Sequence, residues 1–215
     1  FKACPNECNQ SNRSAANWFS PVYPPAPKTP VESNAYVEAV NGRFTDAATS
    51  AVVEHAPLLT YLAPFSFEAS LIGSLASLMF PIKGASAGSG AVLMMAVTNL
   101  ENGQFSDAVG EAILNDTSVQ DVLLDHIIEA AGEYGFQDIH FDFEYLRPED
   151  REPYNAFLKK AAQRLHAERL LISTALAPKT SASQTGQWYT AHDIEPTEKI
   201  VDFGVIYDFM SGYSA

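Results

Sequence analysis

Short apolar runs recur along the chain and predict the strands of one sheet. Each run is rich in Val, Ile, Leu, Tyr and Phe, without the strict polar alternation of a strand that has one face in water. Continuous apolar runs of this length are typical of parallel strands covered on both faces. The predicted strands are 35–40, 58–65, 91–98, 138–145, 170–176 and 200–209.

Two segments between these runs have the spacing of amphipathic helices. Pro148 predicts the first turn of one helix, and Glu149 and Asp150 add the acidic residues that suit a helix start. Its apolar stripe, with a period of about 3.6 residues, comprises Tyr154, Phe157, Leu158, Ala161, Ala162 and Leu165. The other stripe comprises Val119, Val122, Leu123, Ile127 and Ala130, with His126 on it as a packing histidine.

Alternating strands and helices predict an α/β fold, either a doubly wound sheet or a (β/α)8-type barrel. No glycine-rich phosphate-binding turn follows the first strand, so nothing favours a nucleotide site. In such barrels the carboxyl ends of the strands carry the catalytic residues. The end of the fourth predicted strand, near Glu144, is therefore the place to look for chemistry.

The run Gln-Asp-Ile-His-Phe-Asp-Phe-Glu at 137–144 carries the candidate chemistry. On a strand, His140, Asp142 and Glu144 share one face, while the apolar residues between them point to the other. Because burying unpaired charge is costly, such a row persists mainly where it is hydrogen-bonded or used. A satisfied polar row or a solvated face is the alternative. A metal site is disfavoured, because three such positions span too far for one ion, and no cofactor is predicted.

Composition limits the class of protein. The 215 residues are 47% hydrophobic and 18% charged, enough for one sizeable core. A formal net charge of -13 argues against nucleic acid and anionic membranes as partners and fits a neutral or cationic substrate better. The low-charge stretch 84–100 is too short and too interrupted by Gly and Ser to span a bilayer, so no membrane insertion is predicted.

The beginning of the chain has a composition of its own. Residues 1–33 are rich in Pro, Asn and Ser and predict an irregular arm, which leaves 34–215 as the folded domain. Cys4 and Cys8 lie in this arm without the partners of a zinc site and suit a local disulfide. Phe1 in place of Met, and glycosylation sequons at Asn12 and Asn115, favour an exported protein.

The strand at 137–144 resembles the Asp-x-x-Asp-x-Asp-x-Glu motif of glycoside hydrolase family 18, the chitinase-type barrels. Further segments, in chain order up to about Tyr213, resemble its branch of spore cortex-lytic, LysM-associated N-acetylglucosaminidases. They are Asn-Ala-Tyr-Val-Glu at 34–38, Tyr-Leu-Ala-Pro-Phe-Ser at 61–66, Leu-Glu at 100–101 with Gly103 and Phe105, Asp-Phe-Glu-Tyr at 142–145 with Pro-Glu-Asp-Arg at 148–151, and Ser-Thr-Ala-Leu-Ala-Pro-Lys-Thr-Ser at 173–181.

The resemblance implies a partial barrel of about six βα units and a glycosidase acting on N-acetylglucosamine-containing polysaccharide, such as peptidoglycan, cortex or chitin. Glu144 would protonate the leaving oxygen. Asp142 would hold the substrate's acetamide, whose oxygen attacks the anomeric carbon. Burial and the neighbouring acid would oppose ionisation of Glu144 and keep its proton available.

Other side chains near predicted strand ends are candidates to touch the sugar. Tyr36, Phe65 and Tyr145 would stack on sugar rings, and core packing is at least an equal alternative for each. Glu38 and Asn99 would supply polar contacts.

The chain departs from the family pattern in three places. His140 stands where the family has Asp, or Asn in the spore branch, so its charge state bears on pH dependence. On the sixth strand, Phe209 aligns with a Tyr that contacts the acetamide, while Tyr207 and Asp208 supply the needed pair two residues earlier; ordinary packing is the alternative for Tyr207. The last two barrel strands are not visible in the sequence. Either the chain is a fragment, or the arm at 1–33 covers the open edges of the sheet, or a second copy covers them by self-association.

Together these patterns predict a secreted, cell-surface or spore-associated glycosidase. The alternative is a catalytically silent carbohydrate-binding relative or an inactive fragment. Binding-only relatives tend to lose the acid, and the retention of Glu144 favours the enzyme.

Overall fold

Parallel strands form one curled sheet with helices on its outer face. The computed structural model describes residues 32–39, 43–77, 81–179, 190–192 and 194–206, with positions 181, 184 and 186. Its strands are β1 (Asn34–Glu38), β2 (Tyr61–Ala69), β3 (Leu75–Ser77), β4 (Val92–Thr98), β5 (Leu100–Glu101), β6 (Gln104–Phe105), β7 (Asp138–Asp142), β8 (Leu171–Leu176) and β9 (Phe203–Ile206). Six of them are parallel in the order β1-β2-β4-β7-β8-β9. This is the predicted partial barrel.

All six predicted strands are present, but several of their boundaries were wrong, two of them near the site. β2 begins at Tyr61 because Ala56–Leu58 forms a 3-10 turn. β7 ends at Asp142 because Tyr145 takes a left-handed φ of 56°, which turns the chain out of the sheet. The acids of the motif therefore lie at and just beyond the carboxyl end of the fourth parallel strand.

Two short antiparallel additions were not predicted. β3 pairs with Phe67–Ala69, the part of β2 that extends beyond its last pair with β1. β5 and β6 form a hairpin through Asn102 and Gly103, which both have positive φ. Strands of two or three residues are too short to show a period in the sequence. Both additions follow the carboxyl end of a parallel strand, β3 after β2 and the hairpin after β4.

The helices are α1 (Asp46–His55), α2 (Pro81–Ala85), α3 (Asp107–Asn115), α4 (Thr117–Tyr134), α5 (Arg151–Ala167) and α6 (Ile194–Glu198). The two predicted helices are α4 and α5, and Pro148–Asp150 is a 3-10 turn ahead of α5. α4 begins where Asp116 accepts from the N–H groups of Ser118 and Val119 at 2.8 and 3.3 Å. It ends at Gly135, whose φ is 76°.

The predicted stripe of α5 is entirely buried, whereas the stripe of α4 was partly wrong. Leu123 and Ile127 are buried, but Val122 is 41% exposed because the buried face also includes Gln120 and Leu124. His126 has the packing role that was predicted, with Nδ1 3.1 Å from the carbonyl oxygen of Gly73.

Two apolar clusters lie on opposite faces of the sheet. On the outer face, Phe141 and Phe143 of the β7 segment pack on α5, with ring centroids 5.1 and 6.0 Å from that of Phe157. Inside the barrel, Tyr61, Ala63, Val92 and Met94 form a smaller cluster near the strand starts. The polar face of β7 therefore points into the barrel.

Gly73 lies where the β2–β3 connection meets α4 too closely for a side chain. Its φ is 75°, and a Cβ would lie 2.5 Å from the carbonyl oxygen of Val119. We expect Gly73→Ala to lower the free energy of unfolding by about 2–4 kcal/mol in urea titrations, because backbone atoms cannot move aside. Gly132→Ala, with nothing within 4 Å of its Cβ, is the matched control. Equal stability of the two variants would contradict this account.

Several predictions extend beyond what the structure describes. Cys4, Cys8 and residues 1–31 lie outside the described ranges, so the division at residue 33 stays a prediction. β1 and β9 are the edges of the described sheet, and self-association through them also stays a prediction. In the described part of the chain, no helix has both the length and the apolarity to cross a membrane.

Candidate active site

Ionisable side chains line the inner face of β7 and its continuation. β7 lies between β4 and β8, with Asp142 opposite Thr98 and His140 opposite Ser173. His140 is fully buried, and Asp142 and Glu144 are 3% and 8% exposed. A further acid, Asp138, is fully buried on the same face. The structure thus places the three predicted catalytic residues together at the carboxyl end of the strand.

A chain of hydrogen bonds passes through His140. Tyr36 Oη lies 2.7 Å from His140 Nε2, and His140 Nδ1 lies 2.8 Å from Ser173 Oγ. The Ser173 hydroxyl donates to Asp138 Oδ2 at 2.6 Å. Because serine has one proton to give, its oxygen accepts from His140 Nδ1–H, which leaves Nε2 to accept from the Tyr36 hydroxyl. One tautomer of a neutral imidazole therefore satisfies every contact.

Burial sets the charge of these groups. It lowers the pKa of His140 to about 3, so the imidazole is neutral at neutral pH. Burial also raises the pKa of Asp138 to about 7, against the opposing effect of the Ser173 hydrogen bond. Burial and the nearby Asp142 carboxylate raise the pKa of Tyr36, which stays protonated. Of the two charge states that the sequence left open for His140, the neutral one fits its surroundings.

Asp138 makes stability depend on pH. Its pKa of about 7 in the fold is above the value of about 4 expected in the unfolded chain, so it stabilises the protein below pH 4 and this contribution is lost as pH rises through 7. We expect Asp138→Asn to remove that loss: relative to wild type, its free energy of unfolding should rise by about 2 kcal/mol between pH 5 and 8.

Urea unfolding at several pH values measures this difference. An unpaired amide donor in Asp138→Asn would lower the free energy of unfolding by the same amount at every pH. The test is therefore the change of the free energy of unfolding with pH, and not its absolute value. Asp46→Asn, which removes one exposed charge, is the control for the loss of a surface carboxylate. A line for Asp138→Asn that ran parallel to that of wild type would disprove the assignment.

Two side chains hold the backbone at Glu144. Asn99 Oδ1 accepts from the Glu144 N–H, and Asn99 Nδ2 donates to the Glu144 carbonyl oxygen, both at 2.9 Å. On the other side, His192 Nε2 donates to the carbonyl oxygen of Phe143 at 2.8 Å. Burial lowers the pKa of His192 to about 4. Because Asn99 is fully buried, its geometry favours positioning of Glu144 over the predicted contact with sugar.

The predicted sugar-stacking residues differ in exposure. Tyr145 is 42% exposed, with its ring centroid 6.1 Å from that of Phe105 in the β5–β6 hairpin. Tyr36 and Phe65 are half-buried and meet edge to face at 6.3 Å. Glu38 is exposed at the carboxyl end of β1. Tyr145 is therefore the most exposed of the three rings, whereas the Tyr36 hydroxyl is bonded to His140.

Some functional residues were missed, and some lie outside the description. Tyr207 and Asp208 fall outside the described ranges, so the sixth-strand pair stays a prediction. Asp138, Ser173 and His192 were not singled out. Alternation on β7 places Asp138 beside His140, which the sequence could have indicated. The other two come from distant segments and required the fold.

A metal site finds no support in the described part of the chain. No group of three His, Cys, Asp or Glu side chains there is arranged to hold an ion. Both nitrogens of His140 are engaged, by Tyr36 and by Ser173, so neither lone pair is directed at a metal.

Similar proteins are lytic enzymes of the bacterial spore. The cortical fragment-lytic enzyme of Bacillus subtilis (strain 168) is 50% identical over 192 residues, which are 89% of this chain and 44% of that protein. The solved spore cortex-lytic enzyme SleL of Bacillus megaterium QM B1551 superposes with a TM-score of 0.79 at 44% identity, over 87% of this chain and 45% of that one. The chain therefore spans less than half the length of these relatives. No protein-family model matches it.

A more distant structure shares the fold. The chitinase of Chromobacterium violaceum ATCC 12472 superposes with a TM-score of 0.74 at 18% identity, over 85% of this chain and 57% of that one. At that identity the likeness concerns the fold alone. The predicted partial barrel of chitinase type is confirmed.

Proposed function

We propose, on the premise that the chain belongs to the chitinase-type glycoside hydrolases of family 18 and to their spore cortex-lytic branch, that it cleaves glycosidic links beside N-acetylglucosamine. One observation carries the proposal. Asp142 and Glu144, only 3% and 8% exposed, lie at and just beyond the end of the fourth parallel strand. Carboxyl groups are rarely buried to this degree unless they are paired or used, and this end of a barrel is where catalysis occurs.

In the proposed reaction Glu144 gives its proton to the glycosidic oxygen as the bond to the anomeric carbon breaks. The substrate's acetamide oxygen attacks that carbon and forms a cyclic, positively charged intermediate. Asp142, as carboxylate, accepts from the acetamide N–H and stabilises the charge. Water then opens the ring while Glu144 takes the water's proton, which restores the starting enzyme.

His140 takes part in this scheme as a neutral group. With its Nε2 accepting from Tyr36, the imidazole adds no positive charge to the pocket. Asp142 then keeps its full electrostatic effect on the cationic intermediate. A neutral imidazole is therefore compatible with the proposed reaction at a position where the family motif that the strand resembles has Asp or Asn.

The proposed substrate is peptidoglycan of the spore cortex or its fragments. The name of the Bacillus subtilis relative, a cortical fragment-lytic enzyme, supports this choice, and spore-associated action goes with it. Chitin-like oligomers share the N-acetylglucosamine unit and are the natural comparison.

The test is hydrolysis by the purified protein of cortex fragments and of chromogenic N-acetylglucosamine oligomers, followed by reducing-end release and absorbance. We expect turnover, with cortex fragments preferred. Sugar binding without turnover would instead support the silent carbohydrate-binding alternative. A folded protein that neither binds nor cleaves these sugars would overturn the proposal.

A further inference from the structure

The main chain at Glu144 lies beyond the sheet that positions β7. The ladder with β4 ends at the pair Thr98–Asp142, and the ladder with β8 ends at Phe141–Thr174. A general acid must nevertheless be held within a fraction of an ångström, because a misplacement of about 1 Å costs on the order of 100-fold in rate. Something other than strand pairing has to fix this residue.

Side chains replace the missing ladder. The peptide group that joins Phe143 to Glu144 is bound at both ends: its carbonyl accepts from His192 at 2.8 Å, and its N–H donates to Asn99 at 2.9 Å. The next carbonyl, that of Glu144 itself, accepts from Asn99 Nδ2 at 2.9 Å. With the peptide planes on both sides of its Cα held, the direction of the Glu144 Cα–Cβ bond is fixed.

Every hydrogen-bonding group of the Asn99 side chain is engaged by the main chain. It directly follows β4, and its Nδ2 also donates to the carbonyl oxygen of Ser106 at 2.9 Å. Both amide protons and the amide oxygen are thus bonded, and the side chain is fully buried. It has no proton left for a substrate.

His192 supports the same peptide from the opposite side. Its ring stacks on Tyr154 of α5, with centroids 5.5 Å apart and planes 20° from parallel. The ring is therefore held by the helix packed behind β7. The two contacts come from segments far apart in the chain and meet on one peptide group.

We propose that Asn99 is a positioning residue of the active site, whose side-chain amide fixes the main chain of Glu144 and so aims its carboxyl group, with His192 holding the same peptide from the other side. This inference rests on the proposed function, because it gives a role to the general acid of that reaction.

Asn99→Ala tests the role against a control that loses a comparable buried amide. Gln120 of α4 is 6% exposed and donates Nε2–H to the carbonyl oxygen of Leu114 at 3.1 Å, on the helical side of the molecule. We expect Asn99→Ala to lower kcat on N-acetylglucosamine oligomers about 30-fold, with KM within about twofold. Gln120→Ala should lose stability in thermal unfolding and keep kcat.

Asn99→Asp supplies a readout that general destabilisation would not move. An ionised aspartate can accept from the Glu144 N–H, but its second oxygen then faces the carbonyl oxygens of Glu144 and Ser106, which can only accept. A protonated aspartate can donate to one of these carbonyl groups, as the amide does. The ratio of its kcat to that of wild type should therefore rise as pH falls. Asp142, Glu144 and His140 are present in both proteins, so their own titration largely cancels in the ratio.

The outcomes separate the two proposals. Suppose that the wild type turns over substrate but the kcat of Asn99→Ala lies within about threefold of that of Gln120→Ala, or the ratio of the kcat of Asn99→Asp to that of wild type does not change with pH. Either result would overturn the positioning role alone. No turnover by folded wild-type protein would overturn the proposed function, and the role of Asn99 with it.

Discussion

Replacing Glu144 with glutamine is expected to lower kcat on N-acetylglucosamine oligomers by about 10³-fold and to leave KM nearly unchanged. The amide has almost the shape of the carboxyl group, and the contacts of Asn99 are to the main chain, so they persist. What the amide lacks is an acidic proton for the leaving oxygen. The defect therefore belongs to bond cleavage and not to binding.

The leaving group distinguishes loss of the acid from loss of structure. A dinitrophenolate departs without protonation, whereas a sugar alkoxide needs a proton. On a dinitrophenyl glycoside the kcat/KM of Glu144→Gln, which reports bond cleavage and not the later ring opening by water, should approach the wild-type value far more closely than on an oligosaccharide. Glu149→Gln, the same change at an exposed acid nearby, is the control and should behave as wild type on both. Equal defects of Glu144→Gln on both substrates would remove Glu144 from the role of acid.

The strands and the catalytic row followed from local pattern. Apolar runs identified all six parallel strands, because a strand that is buried on both faces has a nearly continuous apolar sequence. The period of two placed His140, Asp142 and Glu144 on one face. The barrel assignment needed the resemblance as well, because the same strand and helix order also suits a doubly wound sheet.

The support of the site was not predictable in the same way. Ser173 and His192 act on β7 from segments more than 30 residues away, through single side-chain contacts that leave no periodic pattern. Asn99 was identified, but as a sugar contact, because a polar residue at a strand end has the same sequence pattern whether it faces substrate or backbone. Only the packing of the folded chain determines whether such a side chain faces substrate or backbone.

The site's framework comes from four of the parallel strands and the segments that follow them. Tyr36 lies on β1, Asn99 follows β4, the catalytic row lies on β7 and Ser173 lies on β8. Each contacts the β7 segment directly or through His140. The described residues therefore hold the main chain of the proposed acid in place.

Asp142→Asn is expected to lower kcat by about 100-fold or more for a reason different from that at Glu144. Asparagine keeps the size of the side chain and an oxygen to accept from the acetamide N–H. It loses the negative charge that faces the cationic cyclic intermediate. In a site only 3% exposed at this residue, that charge is weakly screened and its effect is large.

Affinity for a mimic of the intermediate tests this explanation directly. A thiazoline analogue of the cyclic intermediate should bind wild type more tightly than Asp142→Asn, by a factor approaching the loss in kcat, while an unreactive oligosaccharide should bind both alike. Asp46→Asn, which removes one exposed negative charge on α1, is the control and should bind the analogue as wild type does. If Asp142→Asn kept its kcat within about tenfold and bound the analogue normally, the acetamide would have to be held by another residue, and the sixth-strand pair of Tyr207 and Asp208 would be the next place to look.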